Sequence, residues 1–141
     1  RIATELRPGI LDELGLGAAM AWHGKKFEEG SGIECIIDID PQIEKISQQC
    51  STAVFRIFQE ALTNVGRHSE ATLVKTKLSV LNDGLYLEIS DNGLGIDNAK
   101  LNDRTSIGLL GMKERALALG GEVTITRLPD SGTKITATIP V

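Results

Sequence analysis

Aromatic residues make up only 4% of this chain, it has two cysteines, two histidines and four prolines, and no apolar run approaches the ~18 residues of a membrane span. Each scarcity removes a class of protein. A transmembrane helix and a signal peptide are absent from this stretch. Cys35 and Cys50 have no metal-ligand spacing and read as two ordinary thiols, buried as small apolar side chains in a reducing cytosolic compartment. Basic residues are outnumbered, 15 against 19 acidic, and no basic face is interleaved with aromatics, which argues against nucleic acid as a partner. What remains is the composition of a soluble globular protein, 41% hydrophobic and 24% charged. Its 141 residues fit one domain that buries roughly 68% of its unfolded surface.

The chain opens with a helical pattern, Leu6, Ile10, Leu11, Leu14, then Ala18, Ala19 and Trp22, running toward Glu29 until Gly30-Ser31-Gly32 ends it. Pro8 and Gly15-Leu16-Gly17 divide it into two helical pieces with a bend. Residues 33–39 read as a short strand closed by Asp40-Pro41, and a long helix occupies 46–67. Strands over 72–81 and 85–91 are joined by the turn Asn82-Asp83-Gly84. Residues 92–107 are polar, small and aperiodic, the pattern of a functional lid or a disordered loop. A helix over 109–119, ended by Gly120-Gly121, and strands over 122–128 and 133–141 complete the chain. This order predicts a two-layer α/β sandwich, a mixed, mostly antiparallel sheet with helices on one face.

The chemistry concentrates in Phe55 to Ser69, F-R-I-F-Q-E-A-L-T-N-V-G-R-H-S. On a regular helix Glu60, Asn64, Arg67 and His68 fall within an arc of roughly 100°, beside an apolar face of Val54, Ile57, Phe58, Ala61, Leu62 and Val65. Such a helix suits the wall of a polar pocket. Asn64 can offer a hard oxygen to Mg²⁺, Glu60 can hold or activate a group beside it, and Arg67 and His68 can reach phosphate oxygens. Read alone, an Arg-His pair at a helix end also serves the terminal carbonyls.

The opposite wall is Asp91-Asn92-Gly93-Leu94-Gly95-Ile96. Strand parity places Asp91 with Leu85, Leu87 and Ile89 on the apolar side, a costly position for a carboxylate unless something bonds it. Asp91 then reads either as a turn residue or as a directional acceptor for an exocyclic amine such as adenine presents, with Gly93 and Gly95 admitting a flat base. Gly108-Leu109-Leu110-Gly111-Met112 reads as a helix start, either a plain cap or an anion site of free N–H groups.

Taken together, E-A-L-T-N-V-G-R-H-S, D-N-G-L-G-I, a polar lid, G-L-L-G-M-K-E-R-A and S-G-T-K-I-T-A-T-I-P-V closely resemble the ATP-binding catalytic domain of sensor histidine kinases, the kind typified by nitrate and desaturase sensors. The resemblance covers nearly the whole chain, since Leu6 to Met20 also looks like that family's second dimerisation helix continuing into the catalytic domain. It implies the Bergerat fold, with ATP between the long helix and the lid. By the same resemblance Asp91 bonds the adenine amine, Thr133 supports the base directly or through water, and Gly93 and Gly95 shape its pocket. Asn64 binds Mg²⁺, Arg67 and His68 meet the phosphates, Gly108, Leu109, Gly111 and Met112 donate backbone N–H groups, and Glu60 matches the family's acidic helix residue. The implied reaction is phosphoryl transfer from ATP, in which positioning and charge neutralisation supply most of the rate.

The chain departs from the family at Ser106, where glycine is frequent, at Arg67, where lysine is common, and in a lid without an aromatic residue. The phosphoacceptor histidine has no match, because neither His23-Gly24 nor His68-Ser69 resembles it, and His23 reads as a solvent-facing helix residue. The expectation is a fragment: residues 1–20 as the end of the dimerisation helix and linker, residues 21–141 as the catalytic domain. Its implied partners are the parent protein's own dimerisation and phosphoacceptor helices, in a homodimer, and a downstream response regulator. The fragment itself is expected to be a monomer or weak dimer in the cytoplasm without membrane contact, whether or not the parent is anchored. Two rival readings are a serine kinase of the anti-sigma type and a non-catalytic nucleotide-binding or dimerisation module.

Overall fold

The computed structural model describes residues 11, 14–82, 84–95 and 103–140. Within them lie helices α1 (Leu16–Ser31), α2 (Gln48–Asn64) and α3 (Asp103–Ala118), and strands β1 (Glu34–Ile39), β2 (Leu73–Leu81), β3 (Gly84–Asp91), β4 (Glu122–Arg127) and β5 (Thr133–Pro140). A 3₁₀ turn, Pro41–Lys45, precedes α2, and a π-helical turn, Val65–Ser69, follows it. Leu6, Pro8, Ile10, Asp83, Ile96 and the centre of the expected lid fall outside the described residues, as do the side chains of His68 and Ser106.

The strands form one mixed sheet in the order β1-β2-β3-β5-β4, with β1 parallel to β2 and the other neighbours antiparallel. Alternation sorts its two faces. Val74, Thr76 and Leu78 of β2, Leu85, Leu87, Ile89 and Asp91 of β3, and Ile135, Ala137 and Ile139 of β5 are buried. Lys75 and Lys77 point the other way, as do Tyr86, Glu88 and Lys134, among which Glu88 accepts the Tyr86 hydroxyl at 3.1 Å and pairs with Lys134 at 3.6 Å. The helices therefore share one face of the sheet.

Helix α2 supplies the centre of the core. Ser47 caps its start by accepting the Cys50 N–H at 3.1 Å. Phe55, Ile57, Phe58 and Leu62 are fully buried against Leu78, Leu87 and Ile89, and each such side chain contributes about 1.5–3 kcal/mol. Leu109, Met112 and Ala116 bring in α3, and Leu16, Ala19 and Met20 bring in α1. Helix α1 can press on β1 because residue 24 is glycine: a Cβ there would lie 2.5 Å from the Ile37 Cδ1 and 3.2 Å from the Cys35 Sγ.

The bend falls at Gly15, whose φ of +93° lies between helical Leu14 and α1, and Gly32 of the expected Gly30-Ser31-Gly32 step ends α1, its N–H bonding the Glu28 carbonyl at 2.9 Å. Two sequence expectations change. His23 does not face solvent. It is half-buried, edge-on to Phe55 and Phe58 with ring centroids 5.8 Å from each, because α1 lies along α2 with position 23 facing it. Cys50 is buried as expected, whereas Cys35 is half-buried; loss of solvent, with Glu28 nearby, pushes its thiol up to about 11.

Candidate functional site

Asp91 ends β3 on the buried face, where the alternation of Leu85, Leu87 and Ile89 places it, and it is only 8% exposed. Its Oδ1 accepts the Gly93 N–H at 2.8 Å, and the Thr133 N–H also bonds the carboxylate. Burial pushes the Asp91 carboxyl above its ordinary value, and these two N–H bonds oppose that shift. A carboxylate has about four acceptor positions, so capacity for another donor remains.

Asn92 faces away and fixes the strand end. Its Oδ1 accepts the N–H groups of Thr72 at 2.9 Å and Leu73 at 3.1 Å, while its Nδ2 donates to the Thr72 Oγ1 at 2.9 Å. Two successive residues thus divide the work: Asn92 ties β3 to the start of β2, leaving Asp91 held on the buried face.

The tip of the β4–β5 hairpin closes on the same turn. Ser131 donates its hydroxyl to the carbonyls of Asn92, at 3.3 Å, and Gly93. Gly132, at φ +107°, sits so tightly that a Cβ would overlap the Asp91 carbonyl oxygen. Gly95, at φ +85°, leaves room for a Cβ only 3.1 Å from the Gly132 oxygen and 3.2 Å from the Arg127 Cγ and Nε. These conformations and approaches favour glycine, so the strand end, its turn and the hairpin stack backbone to backbone.

On the helical layer, Glu60 is half-buried on α2 and meets α3 at Gly108, where a Cβ would overlap the Glu60 Oε2 and lie 2.8 Å from its Cδ. Asn64 is the last residue of α2, and its Nδ2 is buried with no hydrogen-bond partner among the described residues. The predicted stripe holds this far and then ends. Beyond Asn64 the backbone widens into the π-helical turn, which changes the angular step, and Arg67 is exposed.

Gly108, Leu109, Gly111 and Met112 do not stand at a helix start. Helix α3 begins at Asp103, so their N–H groups fall beyond the first turn, where intrahelical carbonyls engage them. Leu109 and Met112 are buried core side chains, 9% and 1% exposed, and a Cβ on Gly111 would meet nothing within 4 Å. Asp91, Gly93, Gly95 and Thr133 are therefore assembled at the end of β3, and Glu60 with Gly108 on the helical layer. Sequence reasoning gave no role to Asn92, Ser131, Gly132 or Arg127. The S-G-T step entered only within the resemblance, and its closure on Asp91 is a contact between distant segments.

The buried carboxylate thus stands in a glycine-built turn, and residues 50–141 match the family of histidine kinase-, DNA gyrase B-, and HSP90-like ATPases. The chain belongs to that ATPase family. Within it, the chain is similar to sensor histidine kinases. It is 33% identical over 140 residues to the oxygen sensor histidine kinase NreB of Staphylococcus carnosus, covering 99% of this chain and 40% of NreB. It is 37% identical over 142 residues to the sensor histidine kinase MctS of Rhizobium johnstonii, covering 99% of this chain and 31% of MctS. This ATPase domain thus spans well under half the length of these relatives. Among solved structures, the histidine kinase domain of the Erythrobacter litoralis EL346 blue-light activated histidine kinase shares the fold, with a TM-score of 0.73 at 22% identity over 89% of this chain and 60% of that one. The mycobacterial sensor histidine kinase MprB does so with a TM-score of 0.65 at 18% identity over 86% and 91% of the two chains.

Proposed function

We propose that this ATPase domain is the catalytic engine of a sensor histidine kinase, binding Mg²⁺-ATP and presenting its γ-phosphoryl group to a histidine on the parent protein's dimerisation helices. The observation that carries this reading is Asp91, a buried carboxylate held by two backbone N–H groups with acceptor capacity to spare. It accepts the adenine amine. Gly93 and Gly95 let the base approach the backbone, and Thr133 steadies the Asp91 carboxylate through its N–H.

The metal end fits as well. Mg²⁺ takes few protein ligands beside its waters and the nucleotide phosphates. Asn64, the last residue of α2, would hold it through the oxygen of its carboxamide, since the buried Nδ2 is a donor. When bound, Mg²⁺ neutralises charge on the phosphates. Glu60 stands one helical turn before Asn64 and polarises the acceptor side of the site. Arg67 and His68 attract phosphate oxygens, and the first turns of α3, with Gly108 and Gly111, rearrange to offer N–H groups to them.

Residues 1–20 belong to the dimerisation helix and linker, 21–141 to the catalytic domain, of the nitrate and desaturase sensor kind. The parent works as a homodimer and passes its phosphoryl group to a response regulator. ATP chemistry places the domain on the cytoplasmic side, and no helix among the described residues is long and apolar enough to cross a membrane. The test supplies the parent's dimerisation helices in trans with γ-labelled ATP. Label that is stable to alkali and labile to acid is expected on their histidine; label on serine of a protein partner would replace this reading with a serine kinase.

A further inference from the structure

Two of the three phenylalanines, Phe55 and Phe58, are fully buried on α2, whereas the third, Phe27 of α1, is half-buried at the edge of the core. Its ring lies against Gly66, where a Cβ would stand 3.2 Å from the Phe27 Cε1 and 3.8 Å from its Cζ. Gly66 is the second residue of the π-helical turn Val65–Ser69, which joins Asn64 to Arg67 and His68. That form of backbone is rare, and here it closes on Glu70, a non-glycine residue at φ +56°. Such a backbone persists where its surroundings over-determine it. Phe27 offers a firm surface of that kind. The Ser31 hydroxyl donates to the Phe27 carbonyl at 2.7 Å, and the adjacent Glu28 ties α1 to β1 by accepting the Cys35 N–H at 3.0 Å. One turn earlier, His23 stands against Phe55 and Phe58, so α1 presses first on α2 and then on the turn that follows it.

We propose that Phe27 is a positioning residue for the phosphate end of the site: its ring, seated on Gly66, sets the π-helical turn and so the aim of Arg67 at the nucleotide phosphates. This rests on the reading above, in which Arg67 and His68 attract phosphate oxygens. Arg67 is exposed on that turn, so the backbone beneath it decides its direction. The pairing is geometrically exacting, since a guanidinium meets phosphate oxygens as a planar fork. Asp91 stands on another element, held by the N–H groups of Gly93 and Thr133, so the base end does not depend on the ring.

The contact can be moved from one partner to the other. Phe27→Leu removes the two ring atoms nearest Gly66, and Gly66→Ala supplies a carbon in their place. Calorimetry on the whole chain would give dissociation constants for a non-hydrolysable ATP analogue with Mg²⁺ and, by competition, for adenosine. Phe27→Leu should weaken the analogue about three- to tenfold and adenosine by less than about twofold, and Phe27→Leu combined with Gly66→Ala should return the analogue to within about twofold of the parent. Gly66→Ala alone should bring no gain, because its Cβ meets the intact ring. An unchanged analogue affinity in Phe27→Leu, an equal loss for adenosine, or a double variant no tighter than Phe27→Leu would overturn the assignment while leaving the nucleotide site intact. A parent chain that does not bind the analogue, or an Arg67→Ala variant that binds it as the parent does, would overturn the underlying reading of this end and the assignment with it.

Discussion

Gly132 lies against the backbone of Asp91 so closely that a Cβ on it would stand 2.8 Å from the Asp91 carbonyl carbon and overlap the oxygen. Its φ of +107° is also unfavourable for any other residue. Gly132→Ala therefore adds left-handed strain to a backbone clash, and the expected loss is about 2–4 kcal/mol of unfolding free energy. Nucleotide affinity should fall with it, since the displaced segment carries the base acceptor. A urea midpoint within error of the parent's would contradict the packing described.

The Asp91 carboxyl is raised by burial, so the native state holds its proton more tightly than the unfolded chain, where the group titrates near 3.8. The sign follows from proton counts. Between 3.8 and the raised value the native state binds more protons, and stability falls as pH rises through that window. Asp91→Asn has no such dependence, so its stability relative to the parent should climb with pH there and then level off. Urea unfolding at a series of pH values would read this, and a slope of the opposite sign would contradict the buried-carboxylate account.

His23 behaves in the opposite sense. Burial lowers its pKa below 6.5, so the native state disfavours the proton that the unfolded chain accepts. Its neutral packing against Phe55 and Phe58 is fully effective above 6.5 and is lost progressively as pH falls below it. His23→Phe should flatten the stability profile just below that pH. An unchanged profile would mean that the ring does not titrate where it is packed.

Gly108 and Gly111 separate helix stability from contact with Glu60. Alanine at either position should favour α3 by up to about 1 kcal/mol. At Gly111 nothing lies in the way, whereas at Gly108 the Glu60 carboxylate must move. Both variants should therefore melt at or above the parent temperature, and Gly108→Ala should slow transfer to dimerisation helices supplied in trans more than Gly111→Ala does. Equal rates in both would remove Glu60 from the reacting end.

Much of this was legible in the sequence, for reasons that residues make plain. Asp91 could be placed because a strand has period two and its apolar partners define the parity. Glu60 and Asn64 were placed by a helical period that holds to the end of α2. Arg67 was not, because nothing in V-G-R-H-S announces the π-helical turn. The start of α3 was missed because Asp-Arg-Thr-Ser carries no apolar residue to show a period, and so the connection looked longer than it is. The partners of His23 and Gly132 lie far along the chain, in α2 and at the end of β3, where local patterns carry no information.

Calorimetric titration of a non-hydrolysable ATP analogue, with and without Mg²⁺, into the parent chain, Asp91→Asn and Asn64→Ala tests the central claim most directly. The parent should bind saturably. Asp91→Asn should weaken binding under both conditions by roughly 1.5 to 3 kcal/mol, about tenfold or more, while Asn64→Ala loses only the part that Mg²⁺ adds. A parent that does not bind, or an Asp91→Asn variant that binds as the parent does, would contradict the assignment of this carboxylate as the base acceptor.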